Sequence, residues 1–300
     1  KLAADRAKQL TLDSIMAENN LRISSNSIFL IFSDLDGCFL DHHDYQYAHT
    51  IDQARTLEDL GIPLIFNSSK TRSEITLLCA EIGNHHPFII ENGAAVLVPE
   101  NYFNFRPKDR TSSAQYEMFQ LARIKGYWLE CIASLKSDFP GDFVSFQDLS
   151  LADVMDLTGL VKGAAIAAME RQFSEPVMWL GSQISKTKFI NSLQRKGATV
   201  TQGGRFLSVG GNCDKGRALK WLRDLYAANN SIKSVDDLAI GDSENDLPML
   251  EVAMEAVLIR SPSHKFPKVN RADGLYKSKK FGPRGWTEEV SFWLKRHKLS

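Results

Sequence analysis

Residues 28–40, "IFLIFSDLDGCFL", run apolar and then set two carboxylates, Asp34 and Asp36, two positions apart before Gly37. A short run this apolar reads as a strand buried on both faces. Alternate side chains of a strand share a face, so the two acids would meet if the strand continued and would lie close if it began to turn. Like charges that near repel unless a cation or a shared proton intervenes. Taken alone the stretch also fits a surface loop with two acids, so the rest of the chain has to decide.

The strand at 28–33 opens a rhythm. Further apolar runs at 62–66, 87–90, 237–240 and 256–259 alternate with helical patterns around 49–60, 72–82, 215–228 and 245–252. Short apolar strands separated by helices argue for a parallel sheet covered on both faces, with ligands beyond the carboxyl ends of its strands. From 102 to 207 the rhythm lapses. Helical patterns around 112–136, 150–157, 161–170 and 184–196, strand-like pieces at 143–147 and 176–180, and the hairpin "ATVTQGGRFLSVGG" make an inserted α+β domain. The expected fold is α/β: a Rossmann-like parallel sheet core over 28–101 and 208–300, the α+β insertion over 102–207, and an amino-terminal appendage or linker over 1–27.

Composition bounds the function. The 300 residues are 43% hydrophobic and 24% charged, enough for one large domain or two small ones. Lys+Arg and Asp+Glu are 36 each, so net charge offers no argument for a nucleic-acid or membrane partner, and an anionic substrate has to be met by a local cluster. The four cysteines lack metal-type spacing and sit among apolar residues, which predicts reduced thiols and a cytoplasmic protein. No apolar run is long enough for a bilayer and no signal-peptide pattern opens the chain. Oligomeric state is not legible.

Three other strand ends carry chemistry. "FNSSKTRSEI" puts Ser68, Ser69 and Lys70 ahead of a helix, offering hydroxyls, a cation and a helix amino end to an anion; capping by Ser69 or Thr71 is the other reading. "DKGRAL" sets Lys215 in the first turn of a helix, where the dipole disfavours a cation unless something negative is near; a solvated lysine is the alternative. "AIGDSENDLPML" delivers Asp242, Glu244 and Asp246 just past an apolar strand, acids that suit a hard cation.

Together these stretches resemble the haloacid dehalogenase-like phosphatase superfamily: "DLDG" matches its first motif, Ser68 its second, Lys215 its third and "GDSEND" its fourth. The insertion stands where that superfamily carries a C2B-type cap. "SSKTRSEI", "IIENGAA", "RQFSEPVMW", "DKGRALKWL", "GDSENDLPML" and "GPRGW" are more narrowly similar to mannosyl-3-phosphoglycerate phosphatases. The resemblance implies magnesium-dependent hydrolysis of a mannosyl- or glucosyl-3-phosphoglycerate to the glycosylglycerate, a compatible solute, plus phosphate. The substrate would be a small phosphorylated sugar acid.

It also implies roles. Asp34 would form an aspartyl-phosphate and Asp36 would move the protons. Mg2+ would be held by the Asp34 carboxylate, the Asp36 carbonyl and Asp242, with Asp246 supporting the metal through water or orienting Lys215. Ser68 and Lys215 would stabilise the phosphoryl charge, and Asn245 would bond phosphate. Ser69, Lys70, Arg171, Ser174, Glu175, Arg205 and Trp286 would recognise the glycerate and sugar; the other readings are Trp286 packing the start of the last helix and "FSEP" as a turn before a strand. "ENGA" at 91–94 reads as a strand-end turn. Cys38 departs from the usual threonine. Two rivals are a phosphomutase of the same fold, which returns the phosphoryl group, and a non-catalytic sugar-phosphate sensor.

Overall fold

The computed structural model describes residues 27–104, 107, 110–113, 115–203, 206–230 and 234–299. Apart from Ser27, the expected amino-terminal appendage lies outside the described residues. The chain runs β1 (Ser27–Ser33), α1 (Ile51–Asp59), β2 (Leu64–Phe66), α2 (Arg72–Ile82), β3 (Phe88–Ile90), β4 (Ala95–Pro99), β5 (Thr111–Ser113) and β6 (Tyr116–Gln120). There follow α3 (Lys125–Ala133), β7 (Phe143–Ser145), α4 (Leu151–Thr158), α5 (Lys162–Met169), β8 (Glu175–Trp179), α6 (Gln183–Arg195), β9 (Thr199–Gly203) and β10 (Phe206–Gly210). The last elements are α7 (Lys215–Asn230), β11 (Ser234–Gly241), α8 (Leu247–Val252), β12 (Glu255–Arg260), β13 (Leu275–Phe281) and α9 (Arg284–Arg296).

The opening strand is the centre of the molecule. β1 pairs in parallel with β11 on one side and β2 on the other, in a five-stranded sheet of order β13-β12-β11-β1-β2. Its alternate residues supply two cores. Phe29 and Ile31 pack with Leu57 of α1, Ile75 of α2 and Trp293 of α9. Ile28, Leu30 and Phe32 pack on the other face with Leu219 and Leu222 of α7 and Met249 of α8. Burial on both faces is why this strand is apolar without alternation.

Two expectations need correction. Residues 112–136 read as helix, yet only α3 is helical there, and β5 and β6 are strands. In β6, Tyr116 and Met118 pack on one core and Phe119 on the other, a period of two that the surrounding helical pattern hid. β3 read as a core strand, but it heads an antiparallel sheet of order β3-β4-β6-β5, joined to the parallel sheet by the bridge Asn67–Ile89. Strand β6, placed by sequence in the insertion, thus pairs with β4 and carries β5 on its other edge, and neither joins the second antiparallel sheet, β7-β8-β10-β9. That sheet has its own core, in which Trp128 and Phe189 meet Val177, Leu207 and Val209. β13 escaped the sequence reading because its lysines suit an exposed edge strand.

A third correction concerns Trp286, expected against a sugar ring. Its indole is fully buried, donates to Ser33 Oγ at 2.8 Å and meets Phe39 edge-on. It locks α9 onto the end of β1. No helix among the described residues is long and apolar enough to cross a membrane. Trp286→Ala should lower the unfolding free energy by about 3–5 kcal/mol in denaturant titration. A raised KM in a variant of unchanged stability would return Trp286 to the binding site.

Candidate active site

β1 and β11 are parallel neighbours, so Asp34 and Asp242 leave the sheet side by side, with the Asp34 N–H donating to the Ile240 carbonyl at 2.8 Å. Lys215, the first residue of α7, reaches between Asp34 and Asp246. Its Nζ lies 2.7 Å from Asp34 Oδ1 and 2.6 Å from Asp246 Oδ1, and its side chain is fully buried. Two carboxylates offset the unfavourable placing of a cation at a helix amino end. Asn67 Nδ2 donates to the Lys215 carbonyl at 3.0 Å and pins the helix start to the loop after β2. The solvated-lysine reading is therefore wrong.

Asp246, expected to help hold the metal, is otherwise engaged. Its second oxygen accepts the N–H groups of Asp242 at 2.9 Å and Ser243 at 3.0 Å. With Lys215 on the first, it orients the lysine and the turn instead of offering a ligand atom. Gly37 has φ +76°, and a Cβ there would sit 2.8 Å from Asp242 Oδ2, so only glycine lets the two acidic loops approach.

The charge in this pocket does not balance. Burial first, and then Asp246 and Asp242, push the Asp34 carboxyl up to about 8 against the pull of Lys215. Burial and Asp246 likewise push Asp242 up to about 7. Burial opposes the charge on Lys215, but Asp246 and Asp34 outweigh it and raise its pKa. Oxygens of Asp34 and Asp242 and the Cys38 sulfur lie within 4.8 Å of one another. Burial, aided by Asp242 and Asp34, raises the Cys38 thiol, so the neutral thiol fills the usual threonine position. Excess buried negative charge with carboxylate oxygens in reach of one point suits a hard divalent cation.

Another side of the pocket comes from the loop after β2. Ser68 is fully buried and its Oγ accepts the Lys70 N–H at 3.3 Å. Thr71 is the residue that caps α2, accepting from Glu74 N at 3.2 Å. Lys70 Nζ lies 3.0 Å from Asp36 Oδ1 and 3.5 Å from Glu74 Oε1. Burial opposes its charge, but the two acids hold its pKa above the ordinary value. Asp36 keeps 37% of its side chain exposed, whereas Asp34, Asp242 and Asp246 are buried.

The remaining candidates divide. Arg171 Nη1 donates to the Ser69 carbonyl at 3.2 Å and to Ser174 Oγ at 3.0 Å, which brings the insertion onto the phosphate loop. Its Nε is buried without a hydrogen-bond partner. Ser174 Oγ donates to Glu91 Oε2 at 2.6 Å and is buried. Glu175 is fully buried, accepting from Gln147 N at 2.6 Å with Lys125 Nζ at 3.4 Å, so it braces the insertion and does not face a sugar. Asn245 accepts from Ser243 Oγ at 2.6 Å and donates to Asn92 Oδ1 at 3.1 Å, which ties two turns together instead of leaving the amide for phosphate. Arg205 lies outside the described residues. Asn67, Glu91 and Asn92 escaped the sequence reading as site residues. The Asn-Gly pair after an apolar strand was the available signal for the turn.

That turn is strained. Glu91, Asn92 and Gly93 have φ of 46°, 59° and 91°, and a Cβ on Gly93 would lie 2.2 Å from the Asp214 carbonyl. Non-glycine residues persist there only when surrounding contacts over-determine them.

The profile of the haloacid dehalogenase-like hydrolases matches residues 31–126 and 182–271. A glucosyl-3-phosphoglycerate/mannosyl-3-phosphoglycerate phosphatase of Persephonella marina is 34% identical over 268 residues, 87% of this chain and 95% of the relative. A mannosyl-3-phosphoglycerate phosphatase of Pyrococcus horikoshii is 34% identical over 238 residues, 79% and 93% of the two chains. Among solved structures, a Thermoplasma acidophilum protein aligns with a TM-score of 0.62 at 16% identity, covering 91% of this chain and 100% of its own. The sucrose-phosphatase of Synechocystis, in complex with sucrose and phosphate, aligns at 0.56 and 13% identity, covering 88% and 97%. These two support the fold alone.

The raised carboxyls predict linked protons. At about pH 6 Asp34 and Asp242 hold protons that a divalent cation must displace, so affinity rises as pH passes through about 7 to 8 and then levels. Calorimetric titration of the metal-free protein with Mg2+ in buffers of different ionisation heat should detect proton release at about pH 6 that fades by about pH 9. Equal affinity across that range without proton release would contradict the charge imbalance.

Proposed function

The chain belongs to the haloacid dehalogenase-like hydrolase family and is a phosphatase, and we propose that its substrate is a glucosyl- or mannosyl-3-phosphoglycerate, cleaved to the glycosylglycerate and phosphate. The observation that carries the chemistry is the Asp34–Lys215–Asp246 cluster, a buried carboxylate held at 2.7 Å from a buried ammonium at the end of the central strand. The relatives' activity on such substrates, over nearly their whole length, supports the choice of sugar acid.

In this reading the Asp34 carboxylate attacks phosphorus, and the bond from phosphorus to the glycerate oxygen breaks. Asp36 gives its proton to that leaving oxygen. It then takes a proton from the water that attacks the aspartyl-phosphate and frees Asp34. Lys215 and Ser68 stabilise charge on the transferring group, with Asp246 and Asn67 fixing where Lys215 points. A Mg2+ ion, for which the Asp34 and Asp242 oxygens and the Asp36 carbonyl are the suited donors, would neutralise phosphoryl oxygens. Lys70, Ser69 and Arg171 meet the acid end of the substrate, with Arg205 as a further cation from the insertion. The insertion built on the β7-β8-β10-β9 sheet serves as the cap that reads the sugar acid, and the parallel-sheet core performs the chemistry. Four free, buried cysteines fit a reducing, cytoplasmic setting.

Phosphate release from glucosyl- and mannosyl-3-phosphoglycerate is the direct test. Net phosphate is expected from at least one of them, lost on chelation and restored by Mg2+, with no bisphosphate activator required. Transfer of the phosphoryl group without net release would mean a mutase, and binding without turnover a sensor. Asp34→Asn should lower turnover by about three orders of magnitude or more while leaving the melting transition in place. Substantial steady-state activity in that folded variant would remove Asp34 as the nucleophile.

A further inference from the structure

The turn after β3 does more than end a strand. The Glu91 carboxylate is buried, with 2% of the residue exposed, and every donor it meets comes from the insertion. Oε1 accepts the Gln172 N–H at 2.8 Å, and Oε2 accepts the N–H groups of Phe173 at 3.2 Å and Ser174 at 2.8 Å and the Ser174 hydroxyl at 2.6 Å. Arg171 Nη1 lies 4.0 Å from the same oxygen. Three successive backbone donors converging on one carboxylate form an anion nest, here filled by a side chain of the core.

The backbone of the turn touches the parts that carry the chemistry. Glu91 N–H donates to the Lys70 carbonyl at 3.0 Å and Asn92 N–H to the Ser68 carbonyl at 2.9 Å. Gly93 abuts the residue before Lys215, and Asn92 Oδ1 accepts from Asn245. A residue with a Cβ is a poor choice at φ 46° for the sake of the turn alone, so the side chain is what the position selects.

We propose that Glu91 is a positioning residue that clamps residues 172–174 of the insertion onto the phosphate-binding loops and thereby sets where Arg171 meets the acid end of the substrate. The inference rests on the proposed sugar-acid reading for the role of Arg171, but the clamp itself does not.

Glu91→Gln tests it, because a carboxamide keeps the size while turning an N–H2 group toward N–H donors. Hydrogen exchange of the amides of residues 172–174, followed without substrate, should quicken by about tenfold or more. Loss of kcat/KM on glucosyl-3-phosphoglycerate should exceed loss on p-nitrophenyl phosphate by about tenfold, carried chiefly by KM. Ser174→Ala deletes one of the four bonds to Glu91, along with the bond from Arg171, and leaves the turn intact, so it should quicken the exchange by less than Glu91→Gln does. Unchanged exchange in either variant, or equal losses on the two substrates in Glu91→Gln, would overturn the proposal. Wild-type protein inactive on both glycosyl-3-phosphoglycerates would instead overturn the substrate reading, and the exchange measurement would still decide the clamp.

Discussion

The buried ammonium of Lys215 is the contact on which the site depends. Asp34, Asp242 and Asp246 are carried by loops that end two neighbouring strands, and all three are almost entirely buried. Three carboxylates gathered away from water would repel and desolvate unfavourably, and one lysine held between two of them makes the arrangement tolerable. It does not make it neutral. A buried pair of this kind roughly breaks even as a stabilising element, so its retention is better explained by chemistry than by folding energy. Burial first, and then the remaining negative charge, raise the pKa of Asp34 and Asp242, so a bound cation would favour their ionised forms.

Parallel pairing is what makes that gathering possible. Strands β11, β1 and β2 run the same way, so their carboxyl ends deliver Asp242, Asp34 and Ser68 to one edge without any excursion of the chain. An antiparallel neighbour would have sent one of these ends to the far side of the sheet. The antiparallel insertion sheet, by contrast, carries none of the phosphoryl machinery and has a separate core. The insertion meets the catalytic edge through polar contacts, among them Thr71 Oγ1 donating to the Ala167 carbonyl at 2.8 Å and Arg171 to the Ser69 carbonyl, and through Phe173, which is buried in the apolar cluster of the catalytic core.

The strand ends were legible because they combine two signals that rarely coincide, an apolar run buried on both faces and acids where it stops. Asp34 and Asp242 came from that coincidence, and Ser68 and Lys215 from helix amino ends that offer a hydroxyl or a misplaced cation. Trp286 misled because an indole suits a sugar face and a core equally, and only the Ser33 hydroxyl beneath it decides. Glu175 misled for the reverse reason: a carboxylate in a loop reads as exposed unless its partners, Lys125 and the Gln147 N–H, are known. The partners of Glu91 are mostly backbone amides some eighty residues away, with separations of 81 to 83. Backbone donors leave no mark in residue identity, so no reading of one sequence could have found them.

Lys70 ties the exposed acid of the cluster to the scaffold beneath it. Its ammonium is shared between Asp36 and Glu74, with the ring of Tyr45 4.9 Å away. Glu74 also closes the cap of α2 through the Thr71 N–H at 2.9 Å, so the position of Lys70 is referred to the start of that helix. On the proposed reading, in which Asp36 carries the proton, a substrate anion that drew Lys70 to itself would leave Asp36 free to give it.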